Sequence, residues 1–219
     1  MKKIQVLFLF SFVTAVLFSC GQNNNKTETK KEQKEKKDLS KYSQATFASG
    51  CFWCMEGVYE SVKGVEEVIS GYAGGKEPNP TYELVGSHTT NYAETVQVYY
   101  DSSVVTYPTL LKVYFGSQDA TQVNGQGPDE GASYRSIIFY NNPTEKVEVE
   151  KYIAEIQKNY DKPVAAQVVP FEKFWMAEDY HQDYIQHNPD VPYVQQESIP
   201  RIKRFQKQFP ELIKPDHKF

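Results

Sequence analysis

Apolar residues fall along this chain in three regimes. Residues 4–18 are almost wholly apolar. Residues 21–41 carry one aliphatic side chain, Leu39, and no aromatic one. From Tyr42 onward apolar and polar positions alternate in readable rhythms. Residues 44–49 form a short apolar run ending at Gly50, a strand. Cys54, Met55, Val58, Tyr59 and Val62 recur at helical spacing, which predicts a helix from about Phe52 to Gly64. Residues 65–72 read as a strand closed by Gly74-Gly75. Residues 76–92, rich in Pro, Gly, Asn and Thr, read as a long loop. Residues 93–101 alternate as a strand and 107–115 look helical. A second long loop, 116–133, holds four glycines, and 134–140 is another strand. Asn142-Pro143-Thr144-Glu145 is a helix start, with a cap, Pro at the first position and Glu at the third. Val149, Tyr152, Ile153, Ile156 and Tyr160 mark one apolar face of that helix. Residues 165–171 are a further strand, and from Phe174 the tail is aromatic and polar with weak periodicity.

This order predicts an α+β domain. Its helices should cover one mixed, mostly antiparallel sheet in a two-layer sandwich with a ferredoxin-like core. Two structureless loops of that length are uncommon in a compact domain and usually functional.

Charge divides the chain further. The formal net charge is −4. Lys2 and Lys3 contribute +2, residues 21–41 contribute +3 (seven Lys, four acids), and the remainder must carry −9. A basic start, a short apolar run and Leu17-Phe18-Ser19-Cys20-Gly21 describe an export signal over residues 1–19. It resembles a bacterial lipoprotein signal, in which Cys20 is lipidated and becomes the new N-terminus. The alternative is an amphipathic N-terminal helix with an incidental Cys. Residues 20–41 read as the lipidated Cys and a disordered basic tether, because so polar a stretch cannot offset its ordering entropy. Residues 42–219 form the domain. An acidic domain without an Arg cluster is a poor nucleic-acid binder. Three cysteines exclude a disulfide-stapled scaffold, and 40% apolar residues exclude complete disorder.

Gly50-Cys51-Phe52-Trp53-Cys54 concentrates the chemistry. Cys51 falls between a strand end and a helix start, where free backbone N–H groups favour a thiolate. Cys54 would lie about one helical turn on, where a thiol can attack an oxidised Cys51 and close a disulfide. Core packing would also explain two such cysteines. A structural zinc wants four ligands, and the domain has only these two Cys, so no metal is expected. Glu94 shares a strand face with Val96 and Val98. If that face is the core, desolvation raises its pKa and keeps a proton on it at neutral pH; if it is a strand end, it faces water. Tyr82, Asp129 and Tyr134, in or beside the loops, are unremarkable alone.

Together the motifs resemble the A-type peptide methionine sulfoxide reductases, which act on the S epimer. They are GCFWC at 50–54, SGYAGG at 70–75, NPTYE at 79–83, AETVQVYYD at 93–101, TQVNGQGPDEGASYRS at 121–136 and AEDYHQDY at 177–184. The resemblance implies that Cys51 attacks the sulfoxide sulfur, that Phe52 and Trp53 wall the S-methyl pocket, and that Glu94 protonates the oxygen. It implies that Tyr82 and Tyr134 hold that oxygen and Asp129 organises the site. Cys51 would become a sulfenic acid, Cys54 would resolve it, and a thioredoxin-like donor would reduce the disulfide. No cofactor is implied. Three departures stand out. The tail stretch that often carries a resolving Cys reads Asn188-Pro189-Asp190-Val191-Pro192-Tyr193-Val194. Gln118 precedes Asp119 where His is frequent, and Asn91-Tyr92 precede Ala93-Glu94 where Gly-His is frequent. His181 matches the family pattern, with a structural role expected. The implied partners are methionine-S-sulfoxide in proteins and peptides, an exported thioredoxin-like reductant, and a membrane reached through Cys20. An extracytoplasmic monomer of the cell envelope is expected. A thioredoxin-like dithiol oxidoreductase and a non-enzymatic surface lipoprotein are the competing readings.

Overall fold

A computed structural model describes residues 37–217. The export signal, Cys20 and the tether up to residue 36 lie outside the described residues. The first predicted strand is β1 (Ser43–Ala48), and it leads through Gly50 into α1 (Phe52–Glu60) and β2 (Val65–Ala73). A short helix, α2 (Tyr82–Gly86), precedes β3 (Ala93–Tyr100) and α3 (Tyr107–Gly116). A small hairpin follows, β4 (Gly125–Gln126) and β5 (Asp129–Glu130), then β6 (Ile137–Tyr140) and α4 (Pro143–Ile156). The remainder holds β7 (Gln167–Pro170), β8 (Phe174–Met176), α5 (Tyr184–His187) and α6 (Ile199–Gln208).

Six strands make one sheet in the order β7-β6-β1-β3-β2-β8. Every pairing is antiparallel except β6 with β7. The inner four strands, β6-β1-β3-β2, are joined as βαββαβ, which is the ferredoxin-like core the sequence predicts. α1 lies on the sheet over β2 and β3. Phe47 of β1 stacks on Tyr59 of α1 at 5.3 Å and tilts against Tyr114 of α3 at 5.5 Å. Two of the buried hydroxyls are paired with carbonyls: Tyr59 donates to Leu110 O and Tyr114 to Ala48 O. The α4 start follows its sequence signal. Asn142 Oδ1 accepts the Glu145 N–H at 3.0 Å, and the Glu145 carboxylate accepts the Asn141 N–H at 2.7 Å.

Several elements depart from the sequence pattern. α1 ends at Glu60, not Gly64, because Ser61 caps it and Gly64 turns the chain at φ +81° into β2. The first long loop contains α2, capped by Thr81, so Tyr82 begins a helix. The second contains the β4–β5 hairpin. β6 starts at Ile137, because Tyr134 belongs to a 3-10 turn whose carbonyl accepts the Gly50 N–H at 3.0 Å. The tail that looks aperiodic holds α6, entered through a π-helical turn, Val194–Ser198. That turn adds a residue to the helical repeat and breaks the 3.6 rhythm.

Candidate active site

The site starts at the turn between β1 and α1. Gly50 sits at φ +68°, and a Cβ there would lie 2.5 Å from Gln126 Cβ. Only glycine accepts both demands. Cys51 is the N-cap of α1 and is 5% exposed. The next residue, Phe52, donates its N–H to Glu94 Oε2 at 3.0 Å. Glu94 faces the core from β3 and is 2% exposed. Burial drives its pKa up to about 8, against the pull of the Phe52 N–H. A buried carboxyl that keeps its proton at neutral pH therefore sits at the helix end that carries Cys51.

The two thiols are free and buried. The sequence places the thiolate on Cys51, through the helix N-terminus. The Phe52 N–H is committed to Glu94; burial, the Cys54 thiol and Glu94 push the Cys51 thiol up, while the Cys54 N–H at the helix start pulls it down. Cys54 goes the other way, down to about 6, chiefly by accepting the Cys51 hydrogen bond against its burial, with help from Arg201 and Ser198. Ser198 Oγ is 3.3 Å from Cys54 Sγ. The two thiols share a hydrogen bond and titrate as a pair.

An aromatic box stands beside the thiols. Phe52 lies 6.0 Å from Trp53, 5.9 Å from Tyr72 and 6.2 Å from Tyr82, ring centre to ring centre. Tyr184 stacks on Trp53 at 3.7 Å. His181 is fully buried among these rings, and its Nδ1 accepts the Trp53 indole N–H at 3.1 Å. Burial lowers its pKa, so it packs as a neutral ring that fixes Trp53. Glu178 ties the box together: its carboxylate accepts the Tyr72 hydroxyl at 2.8 Å and the Tyr82 N–H at 3.0 Å. Burial pushes Glu178 up, but these bonds outweigh it and hold its pKa below the ordinary value.

Tyr82 and Tyr134 are half-buried. Burial first and the Glu94 charge second keep both hydroxyls protonated. Asp129 accepts the Tyr193 hydroxyl at 2.6 Å. Burial raises its pKa, while Tyr193, Arg201 and the Cys51 N–H oppose that. Gln118, in the place where His is frequent, accepts from both Ser49 and Ser136 under the Cys51 turn. Asn91 and Tyr92 serve the rim, their carbonyls accepting from Arg135.

The fold thus brings Cys51, Phe52, Trp53, Cys54, Tyr82, Glu94, Asp129 and Tyr134 to one end of α1. Sequence reasoning missed Tyr72, Glu178, Tyr193, Ser198 and Arg201. Glu178 and Tyr193 lie in stretches it singled out, but Ser198 and Arg201 sit in the tail whose periodicity the π-turn conceals. Among the described residues no group of three His, Cys, Asp or Glu side chains is placed to hold a metal.

A buried thiol pair, a protonated carboxyl and aromatic walls on an α+β scaffold define a thiol-based oxidoreductase site. The family model for peptide methionine sulfoxide reductase matches residues 43–213, and the chain belongs to that family. The chain is 45% identical over 170 residues to peptide methionine sulfoxide reductase MsrA of Saccharolobus solfataricus, covering 78% of this chain and 96% of the relative. It is 46% identical over 167 residues to the MsrA of Sulfolobus acidocaldarius, covering 76% and 95%. Among solved structures it resembles reduced Mxr1 of Saccharomyces cerevisiae. The TM-score is 0.66 and the identity 34%, over 71% of this chain and 90% of that one.

Proposed function

We propose that the chain reduces methionine-S-sulfoxide to methionine, in proteins and peptides and as the free amino acid, by thiol chemistry at Cys51. The observation that carries this reading is the protonated Glu94 bonded to the N–H beside Cys51. A sulfoxide oxygen leaves sulfur only when it is protonated, so the reaction needs a thiol on one side and an acid on the other.

Phe52 and Trp53 enclose the S-methyl group by shape and exclude water. Glu94 gives its proton to the sulfoxide oxygen, which Tyr82 and Tyr134 hold by their hydroxyls. The Cys51 proton passes along its hydrogen bond to Cys54, and the Cys51 sulfur attacks. The substrate sulfur gains two electrons, and Cys51 becomes a sulfenic acid carrying the oxygen. Cys54 then attacks that sulfur. The S–S bond forms, the S–O bond breaks, and the hydroxide leaves as water with the Cys54 proton. A thioredoxin-like protein reduces the disulfide. The absence of any Cys beyond Cys54 in the sequence supports Cys54 as the resolving thiol.

The N-terminal pattern supports a lipoprotein signal over residues 1–19 and a lipid anchor at Cys20. The enzyme then works outside the cytoplasm, held in the cell envelope by a basic tether, and repairs oxidised methionine there. Its reductant is an exported thioredoxin-like domain. Partition of the mature protein into detergent, lost in Cys20→Ala, tests the anchor, and a mature mass without acyl addition contradicts it. Assays with the two sulfoxide epimers of one peptide test the activity. Turnover of the S epimer alone is expected, and turnover of the R epimer alone contradicts the assignment.

A further inference from the structure

We infer that Arg201 is a positioning residue for the second chemical step, a fixed positive charge that holds Cys54 ready to attack the oxidised Cys51. The inference rests on the reading of Cys54 as the resolving thiol and goes beyond it to the tail helix.

Arg201 belongs to α6 and is 8% exposed. Its guanidinium is locked from three sides. Nε donates to Ser117 O at 2.7 Å, Nη1 donates to Ser49 O at 3.1 Å, and Nη2 reaches Ser49 Oγ at 3.4 Å and Met55 Sδ at 3.2 Å. It forms no ion pair among the described residues. A buried charge fed only by carbonyls, a hydroxyl and a thioether is costly unless an anion stands near. It favours the charged forms of Cys54 and Asp129, and also pulls on the buried hydroxyls of Tyr59 and Tyr114. Arg201 and Cys54 line one cavity of about 370 Å³ together with Asp129, Tyr193 and Arg204.

The acids on the side of Cys54 that faces this cavity are Asp129 from the hairpin and Glu197 from the π-turn, with the Cys51 thiol and the Tyr193 hydroxyl beside Cys54 and the protonated Glu94 beyond Cys51. Of the two arginines lining the cavity, Arg201 is the one that pulls on Cys54. Ser198, one turn earlier in the tail, adds its hydroxyl at 3.3 Å. The tail therefore supplies the charge and the hydroxyl that make Cys54 a nucleophile, and no thiol of its own. At closure Cys54 gives up its proton to the departing hydroxide. The Cys54–Cys51 S–S bond forms as the S–O bond breaks, and Arg201 favours the Cys54 thiolate from which that attack is made.

The test is a thiolate titration by ultraviolet absorbance in Cys51→Ser, with the double variant Cys51→Ser/Cys54→Ser subtracted. The Cys54 midpoint is expected below neutrality. It should rise by one pH unit or more in Arg201→Met, about a tenfold loss of thiolate at a given pH. Arg201→Gln, which keeps donors for the Ser49 and Ser117 carbonyls, covers the case where Arg201→Met does not fold, and Arg201→Lys should restore the midpoint. In the two-thiol enzyme, decay of the sulfenic acid should slow about tenfold near neutrality in Arg201→Gln and recover as pH rises. An unchanged midpoint, or slowing equal at every pH, overturns the role of Arg201 and leaves the resolving thiol intact. A Cys54 thiol that survives turnover in the unaltered enzyme overturns both.

Discussion

At the scale of residues, the chemistry rests on who holds which proton. Glu94 keeps its proton up to about pH 8 because it is buried. The reaction uses the protonated carboxyl, so the rate of sulfoxide reduction should hold below that pH and fall as pH rises through it. Rate measurements across that range check the sign. Glu94→Gln should lower the rate by roughly two to four orders of magnitude, the usual worth of a positioned acid. Cys51→Ser should abolish reduction altogether in the same assay. The face Glu94 shares with Val96 and Val98 was legible in the strand alternation, but whether that face is the core was not, and the structure shows that it is. The partner of the Phe52 N–H was not legible either: helix-end reasoning left that donor free for Cys51, whereas a carboxyl from β3 takes it, a pairing 42 residues apart that no local pattern encodes.

Elements position these residues. The β1–α1 turn fixes Cys51, and α6 packs on α1, where a Cβ at Gly57 would lie 2.7 Å from Ile202 Cδ1. Ile202 is fully buried. Ile202→Ala should therefore cost about 2–5 kcal/mol in denaturant unfolding, the range for a buried large-to-small change. Asn142→Ala, which removes the α4 cap, should cost about 1 kcal/mol in the same measurement. Elements with a local cause could be read from sequence: the alternation of β3, the Asn-Pro-Thr-Glu start of α4, the apolar run of β1. α2 and β8 could not, because each is short and held by tertiary bonds. Glu178 accepts the Tyr82 N–H at the start of α2, and β8 exists by pairing with β2. α6 was hidden by the π-turn before it, and with it Ser198 and Arg201.

For the whole molecule, buried carboxyls govern the response to pH. Burial, with neighbouring acids, raises Glu56 to about 9 and Glu60 to about 7, and burial raises Glu94 to about 8. Each folded value lies above the ordinary glutamate value, so the folded state binds more protons than the unfolded chain at intermediate pH. Stability is then fully present below the ordinary glutamate value of 4.5 and declines from there until pH has passed through about 7 to 9. Denaturant midpoints should fall between pH 6 and pH 9, and Glu56→Gln should flatten that fall. A midpoint that rises over that range contradicts the burial assignments. The fold class was legible because the order of strands and helices fixes βαββαβ, while the mutual burial of distant carboxyls was not.

The most direct test of the two-thiol account is a single turnover without reductant. The enzyme is mixed with one equivalent of a methionine-S-sulfoxide peptide, its free thiols are counted, and its peptides are mapped by mass spectrometry. Loss of two thiols in the domain with a Cys51–Cys54 linked peptide is the predicted result. Methionine formed while both thiols stay free, or a linked peptide that omits Cys51, would contradict it.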